Sequence, residues 1–262
     1  YLRPGQYLGV TQPPNSQIDM GSYQDWRVYV KKARLNVHFA VGRQYDYSVL
    51  VGAASSMVTT SIAEGFGFTF LEPWTVGKVL WGRRLGSICT DFEGNGLCLD
   101  FLYNRLDVPL DWFDADQFFQ TWQRTVMHAA EIFGHSVTQE KMNHFASCLA
   151  RDGRMDFGLL NERYQRQVLS HLLSDPGAKK HLASLNPRIL FPGPENDMTA
   201  VLENNRGIVT AYYSEKHCRE QLLAVYERVI HQPVHQRLDK QVLVDALVDL
   251  EGFSLLKWGA YE

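Results

Sequence analysis

Residues 56–82 read SMVTTSIAEGFGFTFLEPWTVGKVLWG, and this stretch decides the fold. Its two ends, 56–60 (SMVTT) and 78–82 (KVLWG), are short runs rich in β-forming residues. Between them, 67–76 has helical character. A strand, a helix and a second strand in this order form a unit with two parallel strands and a right-handed crossover. The stretch therefore predicts the centre of an α/β fold.

The residues before this stretch repeat the same alternation. Apolar β-rich runs occupy 6–11 (QYLGVT) and 35–41 (LNVHFAV), with helices predicted over 23–33 and 47–54. Strands that alternate with helices of this length indicate a parallel sheet. We therefore predict an α/β domain over residues 1–114.

The character of the chain changes after Asp91, where β-rich runs largely give way to apolar residues spaced three and four apart. This helical spacing occupies 115–133, 137–150, 158–173, 198–205 and 214–230. A loop is expected over 186–197, which holds three prolines and Gly193. The sequence thus predicts a mostly helical region over 115–262 that packs on the first domain.

Composition excludes several classes of partner. A net charge of −3 with scattered basic residues leaves no electrostatic footprint for nucleic acid. No stretch approaches the roughly 20 apolar residues of a membrane span. The four cysteines are widely spaced and form no CxxC pair, which favours reduced thiols in the cytoplasm. We therefore expect a cytoplasmic protein whose partner is a small molecule.

The chemistry concentrates in the segment 61–74, which follows the strand 56–60. Ligands of α/β sheets bind at the carboxyl ends of strands, and glycines there let the backbone approach a ligand closely. Glu64 and Glu72 lie eight residues apart and are expected to face one crevice. A dinucleotide-binding GxGxxG motif is rejected because Phe70 stands at the third glycine position.

The string E-G-F-G-F-x-F-L-E, from Glu64 to Glu72, resembles the EX7E signature of retaining glycosyltransferases with the GT-B fold, of the family 4 or group 1 type. The resemblance covers about residues 6–110. Looser support comes from Tyr45 to Ala54, similar to a helix of the family, from the turn at Gly77 to Val79, and from Ile208 to Tyr226, which resembles its closing helical region. The resemblance implies the C-terminal, Rossmann-like, nucleotide-sugar-binding half of such an enzyme.

The resemblance also implies roles for the turn. Glu64 would be the catalytic carboxylate, lying against the hydroxyls of the donor sugar and its reacting face. The donor-binding stretch would comprise Gly65, Phe66, Gly67 and Phe68, with the backbone N–H groups of the first three meeting sugar and phosphates. The implied reaction is transfer of a hexose from a nucleotide-activated sugar with retention of configuration.

Four more donor-binding residues follow from the same resemblance. Leu71 would pack near the nucleoside, and Glu72 would accept hydrogen bonds from the ribose hydroxyls. Gly42 and Arg43, at the end of the run 35–41, occupy the place where such enzymes hold the base. No cofactor or metal ion is expected, since the nine histidines show no ligand spacing.

The sequence departs from the family in two respects. No Arg and Lys pair for the leaving diphosphate stands near the first strand and helix, although Lys31, Lys32 and Arg34 are a possible substitute. The N-terminal acceptor domain of the family is also not visible, which implies a missing domain or a partner chain and leaves open whether the isolated chain is active. Two alternatives therefore stay open: a non-catalytic sugar-nucleotide-binding or interaction module, and a GT-B sugar-nucleotide epimerase.

Overall fold

The computed structural model describes residues 5–132, 134, 136–190, 197–232, 237, 239, 240 and 242. The strands are β1 (Leu8–Val10), β2 (Val37–Phe39), β3 (Ser56–Thr59), β4 (Val79–Gly82), β5 (Asp107–Pro109) and β6 (Arg154–Asp156). The helices are α1 (Gln17–Lys32), α2 (Tyr47–Ala53), α3 (Glu72–Thr75), α4 (Gly86–Gly94), α5 (Ala115–Ile132), α6 (Gln139–Leu149), α7 (Glu162–Ser174), α8 (Ala178–Leu185), α9 (Thr199–Tyr212) and α10 (Glu215–His231). The protein is thus mixed α/β and rich in helix, as predicted in general terms.

The strands pair in three two-stranded sheets. β1 pairs with β2 in parallel, β3 pairs with β4 in parallel, and β5 pairs with β6 antiparallel. The two parallel pairs confirm the predicted strands and their direction. Among the described residues the two pairs are separate two-stranded sheets, so a continuous Rossmann-like parallel sheet stays a prediction.

By its contacts the chain divides into two compact units. Among the described residues, the first unit comprises 5–47, 105–189, 240 and 242, and the second comprises Ser48–Asn104, 190, 197–232, 237 and 239. Both units therefore combine segments from either side of residue 114, where the sequence places the domain boundary. The functional division at residue 114 stays a prediction.

The first unit is built on helix packing. Its core lies between α5, α6, α7 and α8 and holds Trp122, Tyr164 and Val168 with almost no exposed surface. The side chains of Thr138 and Asn161 accept hydrogen bonds from the first turns of α6 and α7, which is why these helices begin there. This unit also contains β1, α1 and β2.

The second unit contains the stretch that decides the fold. Its core includes Phe70, Trp74 and Leu80, each 0% exposed. Helix α9 contributes Asn205, which is also 0% exposed. The Asn205 side chain accepts a hydrogen bond from the backbone N–H of Cys98 at 2.8 Å and donates one to the backbone carbonyl of Cys98 at 2.9 Å. The Asn205 amide thus bonds both backbone groups of Cys98, as a neighbouring β-strand would do.

Replacing this amide should destabilise the second unit. Asn205→Leu leaves the half-buried backbone N–H and C=O of Cys98 without these partners, at a cost of up to about 1 to 3 kcal/mol for each unsatisfied group. Urea unfolding monitored by circular dichroism should show a clear drop in the midpoint concentration of urea. Arg206→Ala, an exposed neighbour on α9, is the matched control and should change the midpoint little. Equal midpoints for the two variants would contradict the bridging role.

Candidate functional site

The candidate site lies at the carboxyl end of β3. β3 ends at Thr59, in register with Gly82, the last residue of its parallel partner β4. The segment 61–74 starts directly after this end, which is the place where ligands bind in parallel α/β sheets. The predicted order of strand, glycine turn and helix is confirmed at this point in the chain.

The glutamate of the turn, Glu64, is held in place by two hydroxyl groups. Ser61 Oγ donates a hydrogen bond to Glu64 Oε1 at 2.7 Å, and Thr69 Oγ1 donates a second to the same oxygen at 3.3 Å. The Glu64 side chain is half-buried. Its other oxygen, Oε2, accepts no hydrogen bond within the part of the chain that the structure describes. The carboxylate is therefore fixed through one oxygen and keeps the acceptor capacity of the other.

The contacts of Ser61 and Thr69 with Glu64 were not predicted from the sequence. They lie three residues before and five residues after Glu64. Both bonds span the turn, so the carboxylate also closes the loop 61–69 on itself. Hydroxyl residues on both sides of a glutamate in a glycine turn are the signal that could have pointed to them.

The turn between the two glutamates depends on Gly67. Its φ is +88°, in the left-handed region, and a Cβ there would lie 2.6 Å from Cγ2 of Ile88 on α4. A side chain at this position would therefore be strained and would also collide with α4. Gly65, in contrast, is exposed and has open space around its Cα. Only the second glycine of the pair is required by packing.

The helix after the turn is shorter than predicted. In place of a helix over 67–76, the structure has a 3₁₀ turn at Phe68–Phe70 and the four-residue α3. The left-handed Gly67 and Gly77, at φ +67°, bound this short helical segment on both sides. A helix of one turn has few aligned peptides, so its dipole adds little to anion binding.

The two remaining residues of the motif that are predicted to bind the donor differ in exposure. Leu71 is 5% exposed and belongs to the core of the second unit. Glu72 is exposed and is the first residue of α3, and its backbone carbonyl accepts a hydrogen bond from Thr75 Oγ1. Trp74, beside the motif, is fully buried and donates from its indole to Phe70. The Glu72 side chain is thus accessible to a ligand, whereas the Leu71 side chain is occupied by packing.

Gly42 and Arg43 belong to the first unit, in a 3₁₀ turn at Val41–Arg43. The N–H of Gly42 donates to the carbonyl of Thr11 at 2.8 Å, and a Cβ on Gly42 would lie 2.8 Å from that same oxygen. Packing alone therefore accounts for this glycine. Arg43 is exposed. Glu64 and Glu72 belong to the second unit.

Basic residues of the second unit serve structural roles near the motif. Lys78 Nζ donates to the carbonyl oxygens of Gly52 and Ala54, at 3.2 and 2.6 Å, and so caps the end of α2. Arg84 forms a two-pronged ion pair with Glu93. Lys31, Lys32 and Arg34 lie at the end of α1 in the first unit, where all three are exposed.

Among the described residues, neither the cysteines nor a group of metal-ligating side chains adds a candidate to the site. All four cysteines are free thiols, and burial raises the pKa of Cys89 above its ordinary value. In the described ranges, no three His, Cys, Asp or Glu side chains are placed to hold a metal ion. Those ranges also contain no helix with the length and apolarity to cross a membrane.

The comparisons with known proteins return no relative. No family model matches the chain, and neither a search of the curated proteins nor a search of the solved structures finds a match.

Proposed function

We propose that the segment 61–74 binds a nucleotide-activated sugar, and that the chain is the donor-binding part of a retaining hexosyltransferase. The observation that carries the proposal is the Glu64 carboxylate, half-buried at the end of a parallel strand and fixed through Oε1 by Ser61 and Thr69. A fixed carboxylate with one oxygen left as an acceptor suits the hydroxyl groups of a sugar. The proposal includes the finer fold assignment, a Rossmann-like half of a GT-B enzyme.

The geometry supports different roles for the two glutamates in binding the nucleotide-sugar. Glu64 is anchored and half-buried, as a group that must meet a reacting sugar in one orientation should be. Glu72 is exposed at the start of α3, where a ribose could reach its carboxylate. We therefore assign the sugar to Glu64 and the ribose to Glu72.

Calorimetric titration with nucleoside diphosphates and nucleotide-sugars tests the proposal. We expect micromolar binding of one nucleotide, and Glu72→Ala should weaken it by about tenfold or more, because a charged acceptor of ribose hydroxyls is lost. Glu215→Ala, an exposed glutamate that likewise begins a helix, is the matched control on α10 and should leave binding unchanged. Absence of binding to every nucleotide would refute the donor-binding function.

A second candidate is a non-catalytic sugar-nucleotide-binding module. The observation that favours it is the structural use of Lys78 and Arg84, since the first caps α2 and the second pairs with Glu93. Departure of a diphosphate requires cations to stabilise its developing charge. Release of nucleoside diphosphate from the bound nucleotide-sugar distinguishes the two candidates: binding without release supports the module, and release supports the transferase.

A further inference from the structure

Two exposed aromatic side chains stand side by side in the glycine turn. Phe66 is 57% exposed and Phe68 is 69% exposed, and their ring centroids lie 4.7 Å apart with planes tilted by 41°. Single exposed apolar residues are ordinary on protein surfaces. Two phenylalanines in contact on one short turn form a concentrated apolar surface, which a ligand could cover.

The backbone beneath these rings is held firmly. Gly67, between them, is buried, and its Cα lies against Ile88 so closely that a Cβ would collide. The N–H of Phe70 donates to the carbonyl of Gly67, and the N–H of Leu71 donates to the carbonyl of Phe68, both at 2.9 Å. The side chain of Phe70 is fully buried in the core. The two exposed rings therefore lie on a turn that is fixed by packing and backbone hydrogen bonds, so they are preorganised for contact with a ligand.

The same turn carries the fixed carboxylate. Glu64 lies two residues before Phe66, and Thr69, which donates to it, directly follows Phe68. An apolar ring surface and a carboxylate oxygen are complementary to the two parts of a pyranose, its C–H face and its hydroxyl rim. The C–H groups stack on the negative face of an aromatic ring, and the hydroxyls donate to the carboxylate.

We propose that Phe66 and Phe68 form a stacking platform for a sugar ring of the acceptor, so that the acceptor is a carbohydrate. This inference rests on the proposed function, in which Glu64 and backbone N–H groups of the turn meet the donor, and it assigns the side chains of Phe66 and Phe68 to the acceptor instead. The acceptor hydroxyl must reach the anomeric carbon of that sugar, so the acceptor binds next to Glu64. The platform lies on the turn that holds this carboxylate and presents the apolar surface that a pyranose needs.

Saturation-transfer NMR on the full chain tests the platform. The probes are methyl glucopyranoside, methyl mannopyranoside and methyl galactopyranoside at millimolar concentration. We expect saturation of the ring C–H protons of at least one glycoside, and loss of that signal in the double variant Phe66→Ser, Phe68→Ser. Tyr226→Ser, which removes a 58% exposed aromatic from α10, is the matched control and should keep the signal. Thermal melting by circular dichroism verifies that each variant is folded.

Three outcomes would overturn the inference. The first is no saturation of any of the three glycosides by the wild-type chain, and the second is equal saturation by the wild type and the double variant. The third is a platform-dependent signal for free uridine or adenosine that exceeds the signal for every glycoside, which would assign the rings to a nucleobase. The proposed function is tested separately: it is wrong if the wild-type chain binds no nucleotide in calorimetry.

Discussion

Glu64→Gln is expected to remove the contribution of the sugar to donor affinity and to lower hexose transfer by about 100-fold to 1,000-fold. Glutamine has the shape of glutamate, and its carbonyl oxygen can still accept the hydrogen bonds from Ser61 and Thr69. It lacks the negative charge, and it places an NH₂ donor where Oε2 would accept a sugar hydroxyl. The turn is therefore preserved while the acceptor is lost.

The affinity difference between a nucleotide-sugar and its nucleoside diphosphate measures this effect without requiring turnover. The wild-type chain should bind the nucleotide-sugar more tightly, and Glu64→Gln should bind both equally. Glu72→Ala is the informative comparison, because it should weaken both ligands in parallel. If Glu64→Gln and Glu72→Ala had the same mild effect on both ligands, the assignment of the sugar to Glu64 would be wrong.

Stability should respond much less than function to this change. The Glu64 carboxylate is half-buried and makes two hydrogen bonds to hydroxyl groups, both within the loop 61–69. Loss of charge in such bonds costs about 1 kcal/mol. Thermal melting of Glu64→Gln should therefore stay close to that of the wild type, which separates a functional loss from an unfolded protein.

The elements that local sequence determines could be predicted. The runs 6–11 and 35–41 contain β1 and β2, and 56–60 and 78–82 contain β3 and β4. Apolar spacing also predicted the five long helices of the second half. In each case the signal lies within one segment, as β-forming residues or as a helical period.

The parts that depend on distant residues were missed. β5 contains Pro109, and it forms only by pairing with β6, which begins 47 residues after β5 begins. Asp156 accepts from the N–H of Leu106, and Asn186 bonds both the N–H and the C=O of Asp107. The sequence shows none of these pairings.

The sequence predicted the place of the candidate turn after β3 but not the packing around it. The motif gave the two glutamates and the turn, but the burial of Leu71 depends on the core that forms around Phe70 and Trp74. The role of Gly67 likewise depends on Ile88, on a helix that the sequence did not predict. Its segment holds Gly86 and Gly94 at its ends, and glycine weakens the helical signal.

Gly82→Ala is expected to destabilise the second unit more than any other single glycine-to-alanine change considered. The φ of Gly82 is +142°, which residues with a side chain rarely adopt, and a Cβ there would lie 1.9 Å from the carbonyl oxygen of Thr59. That oxygen also accepts from the N–H of Arg83 at 3.2 Å. Backbone strain of about 1 to 3 kcal/mol adds to displacement of β3 from β4, at about another 1 to 3 kcal/mol.

Gly77→Ala separates the two contributions, because Gly77 also has a positive φ, +67°, but nothing lies within 4 Å of its Cβ position. In urea unfolding, the loss of stability of Gly77→Ala should reflect backbone strain alone. The loss for Gly82→Ala should be larger, because it reflects strain and the collision with Thr59. Thr59 Oγ1 also accepts from the N–H of Ser61, which in turn holds Glu64, so displacement of Thr59 should weaken nucleotide-sugar binding as well. Equal unfolding midpoints for the two variants would contradict the pairing of Thr59 with Gly82, and with it the position of the turn at the end of β3.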